Sequence, residues 1–117
     1  MTVNYTKLEA DQLDYIAVAE EGEVPSGERL FVQIDQYNIV VFNIAGTLFA
    51  IGDVCSHDDG PLGDGELEDH QIACPRHGAR FDVRSGQALT PPAVAAIPAY
   101  PVRIAEGVIE VGVPVAE

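Results

Sequence analysis

The chain has 117 residues, 47% of them hydrophobic, and 19 acidic against 6 basic side chains, for a formal charge of −13. That length suits one domain (1–117) with an ordinary core and leaves little room for a separate catalytic domain. The acidity argues against nucleic acid and anionic membrane surfaces, and it favours solubility and a protein partner with a basic face.

Met1 to Lys7 has no basic stretch followed by an apolar run, so no signal peptide is expected. No apolar run approaches the roughly 18 residues that span a bilayer. Residues 1–26 alternate weakly, with Tyr15 to Val18 as a short strand and an acidic, turn-rich loop over 20–27. Arg29 to Ile34 is a β-branched and aromatic run. Asp35 to Asn38 turns the chain into Ile39 to Ile44, and Ala45-Gly46 turns it again into Thr47 to Ile51. Together these predict an antiparallel meander. Residues 53–66 hold three glycines, one proline and five acidic residues, a loop composition, before a short strand over Gln71 to Ala73. Pro75 and Gly78 mark a second loop, followed by strands over Ala79 to Val83 and Gln87 to Leu89 around a turn at Ser85-Gly86. Thr90 to Pro101 carries four prolines in twelve residues, which excludes a central strand or a helix and predicts a fixed, extended loop. Val102 to Ile104, a turn at Glu106-Gly107 and Val108 to Val113 close the chain. No stretch sustains helical periodicity. The fold class read from this pattern is all-β, of about ten short strands, with a small loop-built site inserted between strands.

Both cysteines and all three histidines lie between Cys55 and His77. The chain reads Cys55-Ser-His57, then sixteen residues, then Cys74-Pro-Arg-His77. Two thiolates and two imidazoles complete a four-ligand metal site. The two cysteines cannot both ligate a metal and form a disulfide framework, so they read as reduced thiolates in a cytoplasmic setting. Two assignments suit this donor set. One is a 2Fe-2S cluster with two cysteines on one iron and two histidines on the other. The other is structural zinc, although zinc sites usually pair Cys with Cys and His with His. His70 is left over and reads as a surface or strand-edge residue.

The spacing and its flanks resemble the Rieske 2Fe-2S family. Cys55, His57, Cys74 and His77 match that family's ligand motif position by position. Gly60-Pro-Leu62, Pro75 and Gly78 look like its two cluster loops, and the proline-rich stretch 90–101 like its covering loop. The resemblance implies an antiparallel Rieske-like β-sandwich with a cluster-binding part over about 53–83 and one 2Fe-2S cluster per chain. Cys55 and Cys74 would hold the buried iron, and His57 and His77 the outer one. Gly60, Gly63 and Gly78 would let backbone N–H groups approach the sulfides.

The implied role is a soluble one-electron carrier, presumed monomeric by size, between a flavin-dependent reductase and a terminal oxygenase. The alternatives are a small Rieske-like subunit of an assimilatory nitrite reductase, or a zinc-binding or binding module without redox duty. The chain alone is not an oxygenase, because a mononuclear iron site needs two further histidines and only His70 remains. Respiratory members of the family carry an extra cysteine in each loop and hydroxyl side chains shortly after the last ligand. This chain has neither extra cysteine, and it has Ala79 and Phe81 at the hydroxyl positions. Fewer hydrogen bonds to sulfur imply the low end of the Rieske range, near about −150 mV rather than +300 mV. Asp58, Asp59, Asp64, Glu66, Glu68 and Asp69 form an acidic run beside the first loop that could orient a basic partner. Arg76 and Arg80 flank the second loop and could offset charge there, or be ordinary surface arginines.

Overall fold

The computed structural model describes residues 4–56, 60–76, 78–91 and 95–115. Within them the strands are β1 (Leu13–Glu20), β2 (Arg29–Ile34), β3 (Tyr37–Ile44), β4 (Thr47–Gly52), β5 (Leu67–Glu68), β6 (Gln71–Ala73), β7 (Arg80–Asp82), β8 (Ala99–Tyr100), β9 (Val102–Ala105) and β10 (Val108–Pro114). They form three sheets with orders β1-β10-β9, β2-β3-β4-β8 and β5-β6-β7, every neighbouring pair antiparallel. The expected all-β, antiparallel architecture is the one observed.

The four-stranded sheet is the wall between two cores. Successive side chains of a strand point to opposite faces, so a strand buried on both faces must be apolar throughout. Ile39, Val40, Val41 and Phe42 of β3 are all fully buried. Val40 and Phe42 face a first core with Ile51, Cys55, Leu62, Ile72, Cys74, Ala79, Phe81, Val83 and Ile97. Ile39 and Val41 face a second core with Ile34, Ala50, Tyr100, Val111 and Val113. The first core joins the central sheet to β5-β6-β7, and the second joins it to β1-β10-β9. In the second, Tyr100 packs between Tyr5 and Tyr37 at ring distances of 5.2 and 6.0 Å. Burial pushes its phenol pKa well up.

Several boundaries differ from the expectation. β3 begins at Tyr37, so the first hairpin is tighter than the Asp35–Asn38 turn, with Asp35 at φ 53°. β1 runs from Leu13 to Glu20 rather than Tyr15 to Val18, because pairing with β10 extends a stretch that is weakly patterned by itself. Its ladder shifts register between Ala17 and Ala19, a bulge that interrupts the alternation the sequence reading relied on. The site region is less loop-built than expected, since it carries its own three-stranded sheet. Gln87 to Leu89 forms only an isolated bridge, Ala88 to Phe81. The proline-rich stretch is not wholly loop, because Ala99–Tyr100 pairs with β4 at the sheet edge, where flanking prolines are tolerated.

The turns follow backbone chemistry. Ala45-Gly46 and Glu106-Gly107 have positive φ at both residues, the mirror-image turn that matches strand twist. After β7, Asp82 takes Arg84 at its carboxylate, from Nε at 3.0 Å and Nη2 at 2.9 Å. That bond holds the Asp82 carboxyl below the usual carboxylate range.

Gly65 has the tightest approach in the fold. A Cβ there would lie 1.8 Å from the Ala73 carbonyl oxygen, whereas one on Gly22 would meet nothing within 4 Å. Gly65→Ala should therefore destabilise by about 3 kcal/mol, the upper part of the overpacking range. Thermal denaturation should show a fall in Tm of roughly 15 °C. Gly22→Ala should leave Tm nearly unchanged; equal effects at the two positions would refute this account of the packing.

Candidate metal centre

Cys55 follows the end of β4 and Cys74 follows β6, so the central and small sheets each deliver one thiol into the core they share. Both are buried, at 0% and 2% exposure. Both are thiols and not a disulfide. The two loops close in the same way. The Cys55 N–H donates to the Gly60 carbonyl at 2.8 Å and the Cys74 N–H to the Ala79 carbonyl at 2.7 Å, each spanning five residues. In sequence, His57 falls inside the first closure and His77 inside the second, but both lie outside the described residues. Among the described residues no three His, Cys, Asp or Glu side chains gather as a metal group.

The donors that are described fit a soft metal centre. Two thiols buried in one apolar core, at the bases of two separate short loops, are an arrangement that favours thiolate ligation once metal balances the charge. Gly78, at φ 75°, gives the second loop a turn that a side chain would strain, and its N–H donates back to the Cys74 carbonyl at 2.9 Å. Gly63 donates its N–H to Asp53 Oδ1 at 2.6 Å. The amides of Gly63 and Gly78 themselves are thus taken up by Asp53 and the Cys74 carbonyl.

Around the thiols the structure places several residues that the sequence reading weighed differently. Arg76 Nη1 donates to the Pro61 carbonyl at 2.7 Å, stitching the second loop to the first. A Cβ on Gly60 would stand 2.7 Å from the same guanidinium. Arg80 instead serves the small sheet, reaching Glu68 Oε1 at 3.1 Å and Gln71 Oε1 at 3.3 Å. Ala79 and Phe81, which lack hydroxyls, are fully buried in the core that contains the thiols. His70, expected at the surface or a strand edge, sits half-buried in the turn between β5 and β6, its ring edge-on to Phe49 of β4 at 5.5 Å. Asp64, Glu66, Glu68 and Asp69 are exposed, while Asp58 and Asp59 lie outside the described residues.

Of the proline-rich stretch, 92–94 lie outside the described residues. The remainder is tied to both neighbours. Ser56 Oγ donates to the Ala95 carbonyl at 2.5 Å, Ile97 N–H to Gly86 at 2.8 Å, and Gly52 N–H to Pro98 at 2.8 Å. Two polar residues that the sequence reading did not single out are Arg29 and Asp53. Both bond the backbone of the first loop, Arg29 at Gly63 and Gly65, Asp53 at Leu62 and Gly63. Asp53, an acidic residue directly before a Gly-rich loop, carried a recognisable signal for such a cap. Arg29 carried none, since its partners are carbonyls more than thirty residues away in sequence.

Comparison with known proteins gives the same reading. Residues 14–101 match the Rieske [2Fe-2S] domain. The 3-phenylpropionate/cinnamic acid dioxygenase ferredoxin subunit of Escherichia coli is 38% identical over 96 residues, covering 81% of this chain and 90% of that one. The solved ferredoxin of carbazole 1,9a-dioxygenase from Nocardioides aromaticivorans superposes with a TM-score of 0.78 at 29% identity, over 83% of this chain and 95% of that one. A Mycobacterium tuberculosis protein described as an NADH-dependent nitrite reductase small subunit has the same TM-score, 0.78, over 89% of this chain and 98% of that one. At 20% identity, that likeness is one of fold. No helix among the described residues is long and apolar enough to cross a membrane. The cofactor is a Rieske 2Fe-2S cluster, and the role is electron transfer rather than catalysis. The chain belongs to the Rieske 2Fe-2S domain family.

Proposed function

We propose that this chain passes single electrons from a flavin-dependent reductase to a terminal oxygenase, with its cluster held by Cys55, His57, Cys74 and His77. The observation that carries the ligand set is the pair of buried thiols at the bases of two loops closed by the same five-residue hydrogen bond. Residues 1–117 act as one domain, with the cluster-binding part near 53–83 and the stretch 90–101 as its cover. The carrier works as a monomer in the cytoplasm, where the thiols stay reduced until loaded. The oxygenase reading draws on the Escherichia coli relative, a dioxygenase ferredoxin subunit that this chain matches over 90% of its length.

A histidine-ligated 2Fe-2S centre supplies reversible one-electron chemistry with no open coordination position. This chain's residues seal the thiol side from water and leave acidic side chains exposed beside the first loop. Ala79 and Phe81 offer no hydroxyl to sulfur, which supports a potential near the low end of the family, about −150 mV. A low potential suits delivery to an oxygenase and not oxidation of quinol.

Electron paramagnetic resonance of the dithionite-reduced protein, with iron and acid-labile sulfide assayed on the same sample, tests the ligand set. The expected result is a rhombic signal of low average g with equal iron and sulfide, lost in Cys74→Ser and in His77→Ala. A silent sample that contains zinc would overturn the reading.

The free ring nitrogens of His57 and His77 should lose protons more readily when the centre is oxidised. The potential is therefore level at low pH and falls above the oxidised-state pKa, approaching about 59 mV per pH unit for one proton per electron. Protein-film voltammetry across pH checks this, and a flat titration would refute solvent access to those rings.

The exposed Asp64, Glu66, Glu68 and Asp69 should steer a basic partner. Raising salt from low to high ionic strength should slow electron delivery to the oxygenase by roughly tenfold, within the range of steered association. A salt-independent rate would sink the docking role of this acidic edge.

A further inference from the structure

The first ligand loop is held by two opposite charges that do not touch each other. Asp53 Oδ1 accepts from the Leu62 N–H at 2.9 Å and the Gly63 N–H at 2.6 Å. On the other side, Arg29 Nη1 donates to the carbonyls of Gly63 at 2.6 Å and Gly65 at 2.8 Å. Gly63 thus has a carboxylate on its N–H and a guanidinium on its carbonyl. Among the described residues Arg29 makes no ion pair, with Asp53 or with any other carboxylate. Its guanidinium carbon lies 5.0 Å from the centre of the Phe42 ring, and Phe42 is sealed in the same core as Cys55 and Cys74.

The two charged residues come from opposite ends of the meander. Arg29 opens β2, and Asp53 directly follows β4. The Asp53 N–H is itself fixed to the Asn38 carbonyl at 2.8 Å, which ties the carboxylate to the sheet. The space at Gly63 is narrow. A Cβ on Gly63 would stand 2.5 Å from Phe31 Cε2 and 3.1 Å from Asp53 Oδ1. Leu62, the residue that this clamp presses inward, is fully buried against the core of both thiols.

We propose that Arg29 and Asp53 are positioning residues that clamp the first ligand loop from its two polar sides and bias the potential of the centre in opposite directions. The proposal rests on the ligand reading above. Hydrogen bonds to ionised groups are roughly twice as strong as neutral ones, so the loop backbone is held more firmly than its glycine content alone would allow. Net charge near an iron–sulfur site is one of the terms that set its potential. Reduction adds negative charge, which the guanidinium favours and the carboxylate opposes.

The test uses the loaded protein and the variants Arg29→Gln, Arg29→Lys and Asp53→Asn. Two quantities are read: potential by protein-film voltammetry, and hydrogen exchange by mass spectrometry on the peptide spanning 60–66. Arg29→Gln should lower the potential and Asp53→Asn should raise it, while each speeds exchange in that peptide by about tenfold, as for loss of a charged hydrogen bond. Arg29→Lys keeps the charge but, with a shorter side chain, cannot place its nitrogen where Nη1 meets both carbonyls, so exchange should rise while the potential stays near that of the unmodified chain. Potentials of Arg29→Gln and Asp53→Asn that shift in the same direction or not at all, or exchange that is unchanged, would overturn the proposal. Should Arg29→Gln fail to fold, Asp53→Asn carries the potential readout, and Arg29→Lys and Asp53→Asn together carry the exchange readout. The ligand reading fails separately, by absence of the rhombic signal in the unmodified protein, and the exchange rates still judge the clamp.

Discussion

The double burial of β3 is the constraint on which the rest of the structure depends. Four consecutive residues, Ile39 to Phe42, are excluded from water on both faces of one strand. Such a strand must be covered on each side. One cover is the sheet built from the two chain ends, β1 with β9 and β10. The other is the small sheet β5-β6-β7, which carries the loop that begins at Cys74. The side chains that satisfy the second requirement include the two thiols. Burial of an apolar strand and placement of the metal donors are therefore one event in this fold.

The loops convert that placement into a site through backbone bonds more than through side-chain packing. Each closes on itself from its cysteine amide, and the two are then joined by Arg76 reaching the Pro61 carbonyl. Ser56 links the first loop to the described part of the proline-rich stretch at Ala95. Glycine matters at the points where two backbones come close, as at Gly65 against Ala73 and Gly86 against Ile97. The exposed ion pair of Arg80 with Glu68 adds little to stability by comparison, since solvent screens it.

Much of this was legible in the sequence, for identifiable reasons. The β2-β3-β4 meander showed because its apolar runs are long and its turns carry turn residues. The donor set showed because the only two cysteines are each followed within three residues by a histidine, as Cys-x-His and Cys-x-x-His. β1 was read too short because its pattern is broken by a bulge and its partner strand lies at the far end of the chain. β5 and β8, of two residues each, have no period to detect. Arg29 was invisible as a site residue, because nothing local to Arg29 signals carbonyl partners so distant in sequence.

The division into two cores has a consequence for where a change of charge falls. The core shared with β1-β10-β9 contains neither cysteine. Only the other core includes groups whose charge changes when metal is lost. The charge change on gaining or losing metal thus falls in the core beneath the small sheet and its loops, and the other core meets it only through the shared central sheet.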